Sequence, residues 1–396
     1  MVNSMAPSVP TGSRGRALIV GAGIGGLAAG IALRRAGWDV RIYERAARPR
    51  ELGFGLALAP NALAALRELG VAESVTREGS VNGWIEIRRM NGDVIRRLHA
   101  PLGGPSMVAL RSTLHGALLA AVGDESLRLG RDVVGFTAAR DSLTIHLSDA
   151  SSDTADLLVG ADGVASVIRR TLHPDEPPPR ASGYTAIRGV AFGAGAALGD
   201  LSGIAYLDRG IEAAALRAST DAVYWYMSLR SCDVAGTRAA DVLEDRLSGF
   251  DRPFRHIVSS TAEDEMRLDE LFRRDPLDAW GAGRVTLLGD AAHPVMPHTG
   301  QGAAQALEDA VALGLALRGG PVEQGLRRYE RVRSRRTRSF VTLGPRIARV
   351  TTTTNTAIIA ARTIALRLLP ARVLALSART LRRDPHGALR VERRPT

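Results

Sequence analysis

The sequence predicts an α/β chain, on three observations. A short apolar strand, a glycine-rich turn and a helix follow one another over residues 16–35. A run of strand-like, aromatic-bearing segments without long helices fills residues 180–275. After it, Arg284-Val285-Thr286-Leu287-Leu288-Gly289-Asp290 returns to the style of a buried strand and leads into a loop and an apolar helix. Buried strands that feed helices argue for a parallel sheet, and consecutive strands without helices for an antiparallel or mixed one.

The first unit organises the rest. Arg16-Ala17-Leu18-Ile19-Val20 reads as a strand and Leu27 to Arg35 as a helix, with Leu27 and Ile31 one turn apart and Gly37 as the stop. Between them, in Gly21-Ala22-Gly23-Ile24-Gly25-Gly26, Gly21 permits the turn and Gly23 lets a pyrophosphate approach the backbone. Gly26 lets the helix pack close to its strand. The helix N-terminus aims unpaired N–H groups and partial positive charge at the phosphates. Trp38 to Glu44 is a second strand with Val40 and Ile42 on one face. It ends in Glu44, 23 residues after Gly21, where a carboxylate accepts hydrogen bonds from ribose hydroxyls. A glycine turn alone is weak evidence; with its strand, helix and acid it predicts dinucleotide binding.

Glu51-Leu52-Gly53-Phe54-Gly55-Leu56 precedes a helix from Pro60 through Leu69 that ends at Gly70. Gly83 to Met90 and Asp93 to Leu98 form a hairpin across Asn91-Gly92, a pair that tolerates positive φ. Val108-Ala109-Leu110-Arg111 leads into a helix, Ser112 to Ala121, with Ser112 or Thr113 as N-cap. Ser142 to Leu147 alternates as a strand, Asp156 to Gly163 contains another, Val164 to Thr171 is helical, and Pro174 to Pro179 marks a boundary. Strands follow at Tyr184–Phe192, Gly203–Leu207, Glu212–Ala218 and Ala222–Arg230. In the last, Val223, Trp225, Met227 and Leu229 point one way and Tyr224, Tyr226 and Ser228 the other. One face of such a sheet packs on helices such as Asp241–Leu247, and the other is expected to roof a ligand pocket. The loop Ala291–Gly302 opens a helix with Leu307, Ala310, Val311, Gly314 and Leu315 on one face. From Val341 the chain is helical; residues 346–382 either pack back on the nucleotide domain, the preferred reading, or lie on a membrane surface.

A chain of 396 residues, 45% hydrophobic, is long enough for two domains or one elaborated one. Its formal charge of +11 is no nucleic-acid signal by itself: all 52 basic residues are arginine and most are dispersed. The dense cluster Arg327–Arg338 reads as an exposed helix face with carboxylate partners. Cys232 is the single cysteine, so no intramolecular disulfide or thiolate zinc site forms, and eight scattered histidines offer no metal pair. The uncharged run Ala17–Leu33 resembles a signal-peptide core, but it is short and carries five glycines that only nucleotide binding explains. The expectations are a disordered tail over 1–15, a cytoplasmic protein, no nucleic acid and no stable membrane insertion.

Three separated motifs now coincide: Gly21 to Glu44; Val159-Gly160-Ala161-Asp162-Gly163 through Arg169; and Leu288-Gly289-Asp290-Ala291-Ala292-His293-Pro294 with Pro297-x-x-Gly300-Gln301-Gly302. In this order and spacing, over residues 16–345, the chain resembles the single-component (class A) flavin monooxygenases, the para-hydroxybenzoate hydroxylase-like group, and within it the salicylate and urate hydroxylase branch. The resemblance implies a Rossmann-like FAD-binding domain with an inserted mixed β-sheet substrate domain and C-terminal helices. The FAD unit takes residues 16–75, 107–175 and 280–345, the substrate sheet 76–106 and 176–279, and the C-terminal helices and tail 346–396.

Carried across, Gly21, Gly23, Ile24 and Gly26 cradle the pyrophosphate, and Glu44, with Arg45 beside it, takes the adenosine ribose. Arg111 matches an arginine near the ribityl and phosphates. Asp162, with Gly163, matches the acid that serves FAD and the transient nicotinamide cofactor. Asp290 matches the acid on the ribityl chain. Pro297, Gly300, Gly302 and Ala303 open a helix toward the flavin pyrimidine, where a helix N-terminus stabilises the charge of reduced flavin. The implied activity is hydroxylation, or epoxidation, of an aromatic or polycyclic small molecule: NAD(P)H reduces FAD, O2 adds at flavin C4a, and one oxygen passes to the substrate. That chemistry needs a dry pocket and a group that orients or deprotonates the substrate. Arg188, Tyr224 and His298 are the candidate catalytic residues, with Tyr206, Arg217 and Tyr226 as further orienting candidates and His293 as a structural one. NAD(P)H is expected to dock transiently, since no second glycine-rich unit exists, and the protein to be a monomer or homodimer. The alternatives are a non-oxygenating flavin dehydrogenase or reductase on the same fold, and a non-catalytic FAD-binding or nucleic-acid-associated protein.

Overall fold

The computed structural model describes residues 14–48, 54–99, 105–139, 142–234, 236–370 and 389. The tail expected over 1–13, the stretch Glu51–Gly53 and the segment expected beyond 370, apart from Leu389, lie outside them. Arg14 and Gly15, assigned to that tail from sequence, are instead tied down. The Arg14 N–H donates to the Gly37 carbonyl at 3.0 Å, and the Asp39 N–H to the Gly15 carbonyl at 3.0 Å.

A five-stranded parallel sheet runs Val285–Leu287, Leu157–Gly160, Arg16–Val20, Asp39–Glu44, Leu127–Leu129. Ala17, Leu18, Ile19, Leu157, Leu158 and Val159 are wholly buried, as expected for strands covered by helices on both faces. Val20 stands beside Gly160 on one side and Tyr43 on the other, and Gly160 beside Leu287. The three motif loops therefore leave the same end of adjacent strands, at the carboxyl edge where open α/β sheets bind their ligands.

The helix Ile24–Arg35 packs against Gly302–Ala316; a side chain on Gly314 would meet Ala32 at 2.8 Å. Gly21 takes φ +102°, and a methyl group on Gly26 would fall on the Gly21 carbonyl oxygen. These two positions accept only glycine, one for its backbone angle and one for close approach.

A second sheet has seven strands, ordered Met266–Arg273, Arg180–Phe192, Ala222–Arg230, Ile211–Arg217, Gly203–Asp208, Trp84–Arg88, Val94–His99. It is mixed, because Gly203–Asp208 and Trp84–Arg88 pair parallel while the others pair antiparallel. The hairpin across Asn91-Gly92 forms, with Gly92 at φ +94°. One face, with Ile187, Trp225 and Met227, is sealed under the helices Ala239–Leu247 and Arg252–Ser259, and Phe254 is fully buried there. A short antiparallel sheet of Gly55–Leu58, Met107–Leu110 and Ser80–Val81 presents Gly55 to the other face, flat against the Tyr224 ring.

Several local expectations are corrected. The helix after Met107–Leu110 begins at Arg111, with Leu110 at the cap position and no side-chain cap, because the strand runs straight into the helix. Thr113 instead donates to Glu78 at 3.1 Å. The helix expected from Val164 starts at Val167, where Ser166 Oγ accepts from the Arg169 N–H at 2.9 Å. The arginine cluster lies on a 30-residue helix, Val322–Thr351, and Arg333 is fully buried rather than solvated. It is drawn inside by the buried carboxylates of Glu308 and Asp309 on the neighbouring helix. After a break at 352–355, Asn355 caps the helix Thr356–Leu368. Among the described residues no helix is long and apolar enough to cross a membrane.

Candidate active site

At the glycine turn, Glu44 accepts from the Ala22 N–H through Oε2 at 2.9 Å and from the Ala46 N–H through Oε1 at 2.9 Å. The acid is thus fixed beside the N-terminus of Ile24–Arg35, which has no acidic residue in its first turn, and Arg45 next to it is exposed. The space over Gly23 is open. Ala161 and Asp162 pass directly under Gly21. The Asp162 carboxylate turns toward the next helix, accepting from Ser166 Oγ, from the Val167 N–H at 2.7 Å and from the Ile168 N–H at 3.2 Å. Burial raises its pKa against those hydrogen bonds. Gly163, at φ +79°, has open space above it.

Asp290 follows Val285–Leu287. It exposes its side chain to solvent yet is enclosed deep in the molecule, as a residue on the wall of a cleft is. That enclosure raises its pKa, while His293 and Arg111 pull it down. Arg111 therefore lies within electrostatic reach of Asp290, and the Arg111 N–H donates to the Phe54 carbonyl at 2.6 Å. Pro297 and His298 sit in a single 3-10 turn that ends at Gly300, φ +61°, before Gly302 and Ala303 open the helix Gly302–Ala316. No acidic side chain occupies that helix's first turn, so its N-terminal positive field is left for an anionic group.

The open face of the second sheet meets this loop. Arg188 pairs in register with Tyr226, Val190 with Tyr224, and Glu212 with Ser228, so Arg188, Tyr224, Tyr226, Ser228 and Glu212 share a face. His298 reaches it from the loop: its Nε2 lies 2.9 Å from Ser228 Oγ and 4.0 Å from Glu212 Oε2, and its ring packs edge-on to Tyr184. Burial lowers the His298 pKa, with Glu212 opposing and Arg188 adding to the shift. The imidazole is neutral near pH 7. Arg188 stands 6.0 Å over the Phe54 ring and 4.0 Å from Asp269. Burial raises the pKa of both Tyr224 and Tyr226.

The structure brings together the three candidate catalytic residues and most cofactor candidates. Two orienting candidates fall elsewhere. Tyr206 lies on the opposite face, fully buried, donating to Asp251 at 2.7 Å, because its place in the alternation is that of Trp225. Arg217 is spent on the carbonyls of Gly195 and Gly199, both at 3.1 Å. Sequence reasoning missed Glu212, an acid in the otherwise apolar run Ile211–Leu216. It also missed the buried group formed by Glu308, Asp309, Arg333 and His293, of which His293 alone was given a structural role. Acids inside an apolar helix were the available signal.

The glycine cradle, the acid at its edge and the enclosed Asp290 fit a flavin dinucleotide. A family model described as an FAD binding domain matches residues 14–343. The chain belongs to that family, within the class A FAD-dependent monooxygenases, and FAD is its cofactor. Its similarity to aurachin C monooxygenase/isomerase of Stigmatella aurantiaca is 35% identity over 84% of this chain and 88% of that protein. With 6-hydroxynicotinate 3-monooxygenase of Pseudomonas fluorescens it shares 31% over 76% and 82%. Among solved structures, HpxO of Klebsiella pneumoniae with FAD and uric acid superposes with a TM-score of 0.87 at 26% identity, covering 94% of this chain and 98% of that one.

Proposed function

We propose that the protein uses NAD(P)H and O2 to hydroxylate an aromatic or polycyclic small molecule held between the second sheet and the loop after Asp290. The carrying observation is the convergence of that loop, through His298, on the polar face formed by Arg188, Tyr224, Tyr226 and Ser228. Bound FAD supplies the hydride acceptor and the site of oxygen activation. Gly21, Gly23 and Gly26, with Ile24, take the pyrophosphate, Glu44 and Arg45 the adenosine ribose, Arg111 and Asp290 the ribityl side, and Gly300, Gly302 and Ala303 the anionic edge of the ring. Residues 16–75, 107–175 and 280–345 form the FAD unit, and 76–106 with 176–279 the substrate unit. Arg188, stacked over Phe54, and Tyr224 orient the substrate. His298, neutral and steadied by Ser228, has Nδ1 available to bond or deprotonate a substrate hydroxyl. The apolar seal behind Trp225 keeps the far side of the sheet dry.

The test is substrate-stimulated NAD(P)H consumption by the FAD-loaded protein across aromatic acids and polycyclics, run under labelled O2 with product mass. One labelled oxygen in the product is expected. Reduction of substrate or acceptor without oxygen uptake would instead make it a flavin dehydrogenase or reductase.

A further inference from the structure

Resting on that reading of the site, we infer that Glu212 selects the substrate, so that the pocket takes a neutral aromatic or heteroaromatic molecule presenting an N–H or O–H donor and discriminates against aromatic carboxylates. Glu212 is buried on the pocket face. Its Oε1 accepts from the Tyr226 hydroxyl at 3.1 Å, while its Oε2 has no hydrogen-bond partner. His298 Nε2 is 4.0 Å away, beyond bonding distance, and is engaged with Ser228. A buried carboxylate oxygen without a donor is costly, and a donor arriving on the ligand completes it. His298 Nδ1, also buried and unpartnered, gives the ligand a second polar contact on the same wall.

Charges of both signs surround Glu212. Arg188 stands over the Phe54 ring with Asp269 4.0 Å away, and Asp269 pairs with Arg267 at 2.6 Å. Arg362, on the helix Thr356–Leu368, lies within electrostatic range of Glu212. Its Nη1 donates to the carbonyls of Val350 and Thr351 at 2.9 and 2.7 Å and anchors its helix beside this wall, while its Nε and Nη2 have no hydrogen-bond partner. A carboxylate set against Oε2 would meet Glu212 with no proton to donate, and such like-charge contacts are how a site rejects a wrong ligand.

The experiment titrates the FAD-loaded wild type, Glu212→Gln and Tyr226→Phe by calorimetry with a matched pair, 3-hydroxybenzamide and 3-hydroxybenzoate, and with 2-quinolone. Flavin absorbance reports that binding is at the site. Wild type is expected to bind the amide or the quinolone about tenfold or more tightly than the carboxylate. Glu212→Gln should bring the carboxylate to within about threefold, whereas Tyr226→Phe, which keeps the acid, should retain the preference. Equal binding of acid and amide by wild type, no binding of either neutral donor, or an unchanged preference in Glu212→Gln would each overturn the inference. Failure of oxygen transfer leaves these affinities readable, so the two readings fail separately.

Discussion

Arg333 donates from Nε to Oδ1 of Asp309 at 2.6 Å, with both side chains fully buried. Asp309 also accepts from the Gly289 N–H at 3.0 Å and bonds His293, so this pair holds the turn that carries Asp290. Arg333 further bonds Glu308, which Arg336 and Asn61 complete. Among the described residues, Arg333→Met removes the only arginine on buried Asp309 and leaves buried Glu308 to Arg336 alone. It is expected to cost about 3–5 kcal/mol, read from urea unfolding. Arg333→Lys recovers only part, since an ammonium lacks the planar fork that reaches both acids. A loss below about 1 kcal/mol would mean that water replaces the arginine.

The close approach at Gly26 makes FAD content a direct measure of the turn. Gly26→Val pushes a side chain into the Gly21 carbonyl and should leave the purified protein with less than about a tenth of the wild-type flavin. The ratio of flavin to protein absorbance checks this; full occupancy would separate the turn from the cofactor.

Glu44 is tied to two backbone N–H groups at the turn. Glu44→Gln keeps the size but turns one acceptor into a donor, so FAD affinity should fall about tenfold, measured by fluorescence titration of the deflavinated protein. An unchanged affinity would place the ribose elsewhere.

The His298 pKa lies below the ordinary histidine value because burial disfavours its charge. The folded state then binds that proton less readily than the unfolded state. Its contribution to stability is present above about pH 6.5 and is lost as pH falls through the lower folded value. Between about pH 8 and about pH 5.5 the melting temperature of wild type should fall further than that of His298→Gln. Parallel falls would show that His298 charges as freely in the fold as in the unfolded chain.

Much of the nucleotide half is legible in the chain because its signals are local. Val20 to Glu44 carries its own strand, turn, helix and acid, and Asn91-Gly92 specifies its hairpin within two residues. The alternation in Ala222–Arg230 also divided that strand into two faces, and Val223, Trp225, Met227 and Leu229 all prove buried. Tyr206, named as an orienting candidate, falls on the core face, because its strand offers no polar alternation to read. Ser112 and Thr113 suggested a cap that the neighbouring strand pre-empts.

What the sequence determined by itself was the cofactor class, since phosphate recognition depends on backbone conformation that a few consecutive glycines dictate. Only the tertiary structure decided which side chains of the second sheet meet the loop after Asp290. Glu212 and His298 stand 86 positions apart and belong to different sheets and loops, and a carboxylate's meaning changes from solvated charge to buried acceptor when the fold removes its water. The same reversal turned Arg333 from an apparent surface cation into the buried partner of Asp309.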